Sequence, residues 1–476
     1  MLWAIVLYSA GLAGLGLWLS RRVRGAGDFF VASRQLSPGL VFATFLAANL
    51  GAGTTVGAAE LGYRHGLSAW WWVGSAGLGS LALAFFIGPR IYRLAGRFSL
   101  YTVGDYLELR YNRAARLATA SALWLGSLAI LAGQLIAMGL VLEVVAGLPS
   151  AWGVALGGAV TTCYFVGGGL WGSAWVNVVQ VVVKGFGFCL ATPWALSLAG
   201  GFGGIERSVE ALADRPEAYL SFTGVGVEGV ARFAVILIPS FFVSPGLIQK
   251  LFGARDERAV RTGVGAQGVT LCFYAFLPAL LGMTAFVLHP DLPDPGLALP
   301  TLLAEDLPPA VGGLMLAASF SAEVSSADAV LFMLSTSVAR DLAPAALGRP
   351  LSDAELLRTS RIAAATAGVI GILLAIQLQS VIAALVVFYT LLTVTLFAPL
   401  LGGLYWRRAG SASALAATAV GVPATLAAHW ATAGAGWGLA TPAAVGIAAS
   451  AATFTAMTLL RPCRVESPAD RPAELP

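Results

Sequence analysis

Residues 46–57 read LAANLGAGTTVG, and they lie inside an apolar run that extends from about residue 40 to 59. Three glycines (Gly51, Gly53, Gly57), Asn49, Thr54 and Thr55 crowd into twelve positions. Glycine costs about 1 kcal/mol relative to alanine inside a helix. Clustering it at mid-membrane depth therefore points to a break in the helix. A break frees backbone N–H and C=O groups, tolerated in a bilayer only where protein or a water-lined cavity satisfies them. Broken helices of this kind build midplane solute and ion sites in secondary transporters. A continuous helix that uses its glycines for close packing accounts for the same twelve residues equally well.

The surrounding chain fixes the solvent. Of 476 residues, 58% are hydrophobic and only 11% charged, with mean hydropathy +0.81; soluble domains carry about 25% charged residues. This is the composition of an all-helical polytopic membrane protein. The formal net charge of +4 does not suggest nucleic-acid binding, because the basic residues sit in short loops. Cys163, Cys189, Cys272 and Cys463 form neither a disulfide framework nor a metal spacing. The opening MLWAIVLYSAGLAGLGLWLS has no basic n-region and is expected to be a retained helix.

Apolar runs near 20 residues predict about thirteen spans. They fall at 2–20, 38–59, 68–92, 117–147, 151–169, 175–200, 229–250, 263–288, 309–337, 358–377, 380–405, 411–432 and 440–460. With the N-terminus outside, 23 of the 28 Lys and Arg residues fall on the cytoplasmic side, as positive-inside topology requires. The C-terminus is then cytoplasmic. Residues 101–112 (YTVGDYLELRYN) read as a short amphipathic helix on the membrane surface, and Ser352 with Glu355 as a capping box opening the tenth span. The tail 461–476 is polar and Pro-rich, expected to be disordered and too short for a signalling domain.

Ionisable residues inside spans point to function. In the ninth span, Ala322, Ser325, Ser326 and Ala329 share a face at i, i+3, i+4 and i+7. Two hydroxyls and a backbone carbonyl there are oxygen ligands suited to a hard monovalent cation. Carbonyls of Ala47 and Leu50, released by the broken second span, could complete the shell. The structural alternative is that the serines bond back to their own helix. Glu323 and Asp328 share that helix, and Lys184 lies deep in the sixth span. For Lys184 an ion pair to Glu323 or Asp328 stands beside a role as proton carrier or counter-charge to an anionic solute. Pro239 and Pro245 interrupt the seventh span. Interrupted helices five spans apart are the mark of an inverted-repeat transporter, which favours the broken reading of residues 46–57.

Four motifs now resemble the sodium:solute symporters, a family with bacterial proline, pantothenate, sialic acid and sugar members. They are DFFVASRQLSPG (28–39) with the AANLGAG that follows at 47–53, GGLWGSAWVNVVQ (168–180), SPGLIQKLFGARDERAVRTG (244–263) and AEVSSADA (322–329). The resemblance covers nearly the whole chain. It implies a LeuT-type fold of five plus five inverted repeats, with a transport core at 38–405 divided into 38–200 and 229–405. An extra helix and loop (1–37) precede the core, and two helices (406–460) and the tail follow it. It implies sodium-driven uptake by alternating access in the cell membrane, by a multi-pass protein functional as a monomer.

The family's sodium site maps onto Ala47, Leu50, Ala322, Ser325 and Ser326. Its solute site maps onto Gly51, Thr54, Thr55, Trp71, Gln134, Leu237, Ser240, Phe241 and Tyr389. Asn177 stands where many members carry aspartate, so one sodium per cycle is expected. Lys184 and Glu323 depart from the family pattern, and Lys184 leaves open a proton-coupled amino-acid or organic-acid carrier of the same fold. Leu237 and Phe241 argue against proline and the sparsely polar lining against a sugar, so an organic acid or zwitterion is the expected solute. Neither an enzyme nor a channel is supported: His65, His289 and His429 lack partner spacing, and no pore-lining ring repeats.

Overall fold

The computed structural model describes residues 34–378 and 380–462, with residues 6, 7, 10, 11 and 14, but not the side chains of 164 and 166–173. The expected first span, the loop before residue 34, the side chains of residues 168–173 and the tail from Cys463 lie outside the described residues.

The described chain is helical throughout. It begins with α1 (Pro38–Asn49) and α2 (Val56–His65), followed by α3 (Trp70–Ala82), α4 (Gly88–Arg97) and α5 (Val103–Arg110). Next come α6 (Arg113–Ala146) and α7 (Ser150–Leu198). The second half holds α8 (Gly226–Val243), α9 (Pro245–Phe252), α10 (Glu257–Tyr274), α11 (Phe276–Leu288) and α12 (Pro309–Thr336). It ends with α13 (Asp353–Gln377), α14 (Val381–Tyr405), α15 (Ser411–Thr432) and α16 (Pro442–Leu460).

Among the described residues, ten helices are long and apolar enough to cross a membrane, against thirteen expected spans. The expected first span is not described. The second is broken, and α1, with 12 residues, is about 18 Å long at 1.5 Å per residue, too short to cross alone. The fifth and sixth are joined in α7 with no non-helical residue between them.

Local chemistry explains the helix ends. Pro38 occupies the first turn of α1, where its missing N–H costs nothing, and the Ser37 hydroxyl accepts from the Leu40 amide. Asn112 caps α6 in the same way, and Ser352 with Glu355 forms the capping box of α13. The α8 helix ends at Ser244 and α9 restarts at Pro245, so the second discontinuity follows from the second of the two expected prolines; Pro239 stays inside α8.

The helix expected at 101–112 is present as α5 (Val103–Arg110). Val103, Tyr106, Leu107 and Arg110 of α5 are buried, and Arg110 donates to the carbonyls of Gly403 and Trp406. On this face Tyr106 and Arg110 lie against Gly403 near the end of α14. α1 lies at the centre of the molecule, packed against α7, α10 and α12.

Candidate functional site

The break between α1 and α2 can be followed group by group. Helical hydrogen bonding stops at Leu50, a 3₁₀ turn spans Ala52–Thr54, and α2 starts at Val56. Gln134 of α6 accepts from the Ala52 amide through Oε1 at 2.8 Å, and the Thr54 hydroxyl oxygen accepts from the Gly51 amide at 2.9 Å. The Thr55 hydroxyl can donate to the Gly51 carbonyl, and the Trp72 indole donates to the Gly53 carbonyl at 2.8 Å. Side chains thus replace the bonds a continuous helix would supply, which is what irregular backbone at this depth requires. Gly51 is needed for close approach: a Cβ there would collide with Ser326 Oγ and Gln134 Oε1.

The carbonyls of Ala47 and Leu50 point toward α7 and α12, and the Lys184 amine group lies among them. Lys184 is fully buried, and its Nζ donates to the Ala47 carbonyl (3.2 Å), the Leu50 carbonyl (3.1 Å) and the Ser325 hydroxyl. Ser325 Oγ lies within donating distance of the carbonyls of Ala47 (2.8 Å) and Ala322 (3.0 Å). Ser326 is displaced from this cluster, because its hydroxyl donates to the Ala48 carbonyl at 3.0 Å. Of the readings left open for Lys184, a direct ion pair to Glu323 is not formed: Nζ donates to oxygens of the break and of Ser325 instead. Glu323 is fully buried, accepts from the Thr55 hydroxyl on Oε1 at 3.0 Å, and leaves Oε2 without a hydrogen-bond partner. Asp328 is paired electrostatically with Lys250, whose Nζ donates to the Thr44 carbonyl at 3.2 Å.

On the other side of the break lies a cavity of about 80 Å³. Of the nine expected solute residues, Gly51, Thr54, Gln134, Leu237, Ser240, Phe241 and Tyr389 line it. Thr55 and Trp71 do not. Thr55 faces Glu323, and Trp71 donates to the Phe222 carbonyl in the loop before α8. Trp72 takes the place assigned to Trp71, with its ring against those of Tyr389 and Phe233.

Sequence reasoning missed Trp72, Asn49 and Lys250 in the lining. Asn49 had a usable signal, as a mid-span amide inside the break; its Nδ2 is buried with no partner. Ser326 and Gly51 also line the cavity, so the cation cluster and the cavity share one wall. Asn177 and Gln180 are buried in α7, both amide heteroatoms of Gln180 lacking a partner.

The family model for the sodium:solute symporter family matches residues 29–421. The chain is 28% identical to the sodium/glucose cotransporter of Vibrio parahaemolyticus, over 88% of this chain and 83% of that one. It is 26% identical to the sodium/pantothenate symporter of Escherichia coli (strain K12), over 88% of each. The structure of a Na+-coupled sialic acid symporter in a substrate-bound outward-open state superposes with a TM-score of 0.82 at 19% identity, covering 97% of this chain and 98% of that one.

Proposed function

The chain belongs to the sodium:solute symporter family, and from that premise we propose that it takes up a small organic acid or zwitterion across the cell membrane by alternating access. One observation carries this reading: the broken α1–α2 element offers its freed carbonyls to a cation cluster on one face and borders the cavity on the other. Occupancy at either place then biases the same bistable element, which is the requirement for coupling. The segments 38–200 and 229–405 are the two repeats that would rock about it.

The lining supports the solute class. Lys250 and the unpartnered Asn49 amide offer N–H donors to a carboxylate, while Trp72, Phe241 and Tyr389 offer apolar faces. Family membership supports sodium as the driving ion. A second reading keeps the fold and lets a proton drive uptake through Lys184; the ammonium's bonds to the cluster favour it.

The test is uptake of a solute panel by proteoliposomes carrying a sodium gradient or a proton gradient separately. The expected result is concentrative uptake of at least one carboxylate-bearing solute, weakened by Gln134→Ala. No accumulation of any solute under either gradient overturns the proposal.

A further inference from the structure

The cluster that would bind a sodium ion is closed by the protein's own cation. Three of the five residues that the resemblance assigns to sodium, Ala47, Leu50 and Ser325, accept hydrogen bonds from Lys184 Nζ. An ammonium has three donors, and these three acceptors use all of them. The fourth, the Ala322 carbonyl, is within reach of the Ser325 hydroxyl, and the fifth, Ser326, donates to the Ala48 carbonyl instead. A sodium ion at these oxygens would lie beside a second full positive charge among groups buried within the protein. Charge balance points the same way. Neutral carbonyls and hydroxyls suffice for one free monovalent cation. This chain adds a lysine and, two residues before Ser325 on α12, a buried carboxylate whose Oε2 has no hydrogen-bond partner. Lys184 and Glu323 thus bring one basic and one acidic group to a cluster of otherwise neutral oxygens.

We propose that Lys184 is the resident cation of this cluster and excludes sodium while its ammonium is there, Glu323 balancing its charge. The proposal rests on the reading of these oxygens as the coupling site. Sodium would reach the cluster only in a protein from which the ammonium has been removed.

The experiment follows sodium binding to purified protein in nanodiscs, with sodium replaced by choline as the control, by thermal unfolding and tryptophan fluorescence. Wild type is expected to show no sodium-specific response that Ser325→Ala removes. The double variant Lys184→Ala/Glu323→Gln, which restores a neutral oxygen cluster, is expected to gain a saturable sodium-specific stabilisation, lost again on adding Ser325→Ala. A saturable response in wild type that Ser325→Ala abolishes overturns the proposal, and so does a folded double variant that gains none. The wild-type arm decides the matter if the double variant does not fold. Solute uptake is measured separately. Its absence beside the expected binding pattern would remove the transport reading and leave this one. Uptake beside sodium binding at Ser325 in wild type would do the reverse.

Discussion

Replacing Gln134 by leucine tests whether one side chain holds the broken element in place. Oε1 of Gln134 accepts from the Ala52 amide at 2.8 Å, across 82 residues of sequence, where Gln134 is 2% and Ala52 0% exposed. Leucine fills a similar volume and offers no acceptor. A buried donor left unpaired costs about 1–3 kcal/mol. If that cost falls on the local closed state, the opening equilibrium of the Ala52 amide rises by about 5- to 150-fold. Hydrogen exchange on protein in nanodiscs reads this directly as lost protection at Ala52. Amides in the C-terminal half of α14, beyond the residues that line the cavity, serve as the reference and are expected to keep theirs. Two results would refute the reasoning. Unchanged exchange at Ala52 in a folded variant means that the bond does not hold the break. Equal acceleration at Ala52 and in α14 means that the variant has weakened the whole fold.

Trp72→Phe keeps a ring in the cavity wall but leaves the buried Gly53 carbonyl without its donor; the apparent solute affinity in uptake assays should fall about 5- to 10-fold, the equivalent of roughly 1 kcal/mol, while Trp71→Phe leaves it unchanged. Gly51→Ala should abolish uptake, because its Cβ collides with Ser326 and Gln134, whereas Gly39→Ala, with open space around its Cβ, should be silent in the same assay. Arg116 pairs with Asp105, Glu108 and Asp341; Arg116→Met strands a buried Asp341 and should cost about 3–5 kcal/mol, seen as earlier thermal unfolding. Asp256 caps α10 through the Ala259 amide at 2.6 Å, and that bond holds its carboxyl below the ordinary carboxylate value. The cap's contribution is therefore present above the unfolded-state pKa and lost as pH falls through the depressed value, so protection at Ala259, corrected for intrinsic exchange, should drop on acidification in wild type but not in Asp256→Asn.

Much of the architecture was readable because membrane helices report themselves one at a time. Glycine clustering located the α1–α2 break, and a proline located the one at Ser244, since both effects are local to the backbone. Ser325 was readable for the same reason, as a hydroxyl on one face of α12, whereas Ser326 on that face bonds to the Ala48 carbonyl instead. What could not be read was rotation and reach. Trp70, Trp71 and Trp72 are consecutive, and each step turns a helix by about 100°, so only packing decides which indole meets the cavity. Lys184 was visible as an anomaly, but a long flexible stem can serve several acceptors, and only the approach of α7 to α1 selects the Ala47 and Leu50 carbonyls. The α5 segment was read as an amphipathic helix on the membrane surface, and its own residues gave no sign that Arg110 reaches the Gly403 carbonyl near the end of α14, almost 300 residues away in sequence.

The buried charges have an electrical consequence. Lys184 sits with Glu323, and Lys250 with Asp328, all four in the buried interior of the molecule. Whether such a pair is ionised or has passed its proton internally, its sum is zero. Moving one elementary charge through a membrane potential is worth about 2.3 kcal/mol per 100 mV, a penalty these neutral pairs do not incur. Under the proposed alternating access, reorientation of the empty protein would then be indifferent to voltage as far as these residues are concerned, and any current that accompanied uptake would report the charge of the cargo.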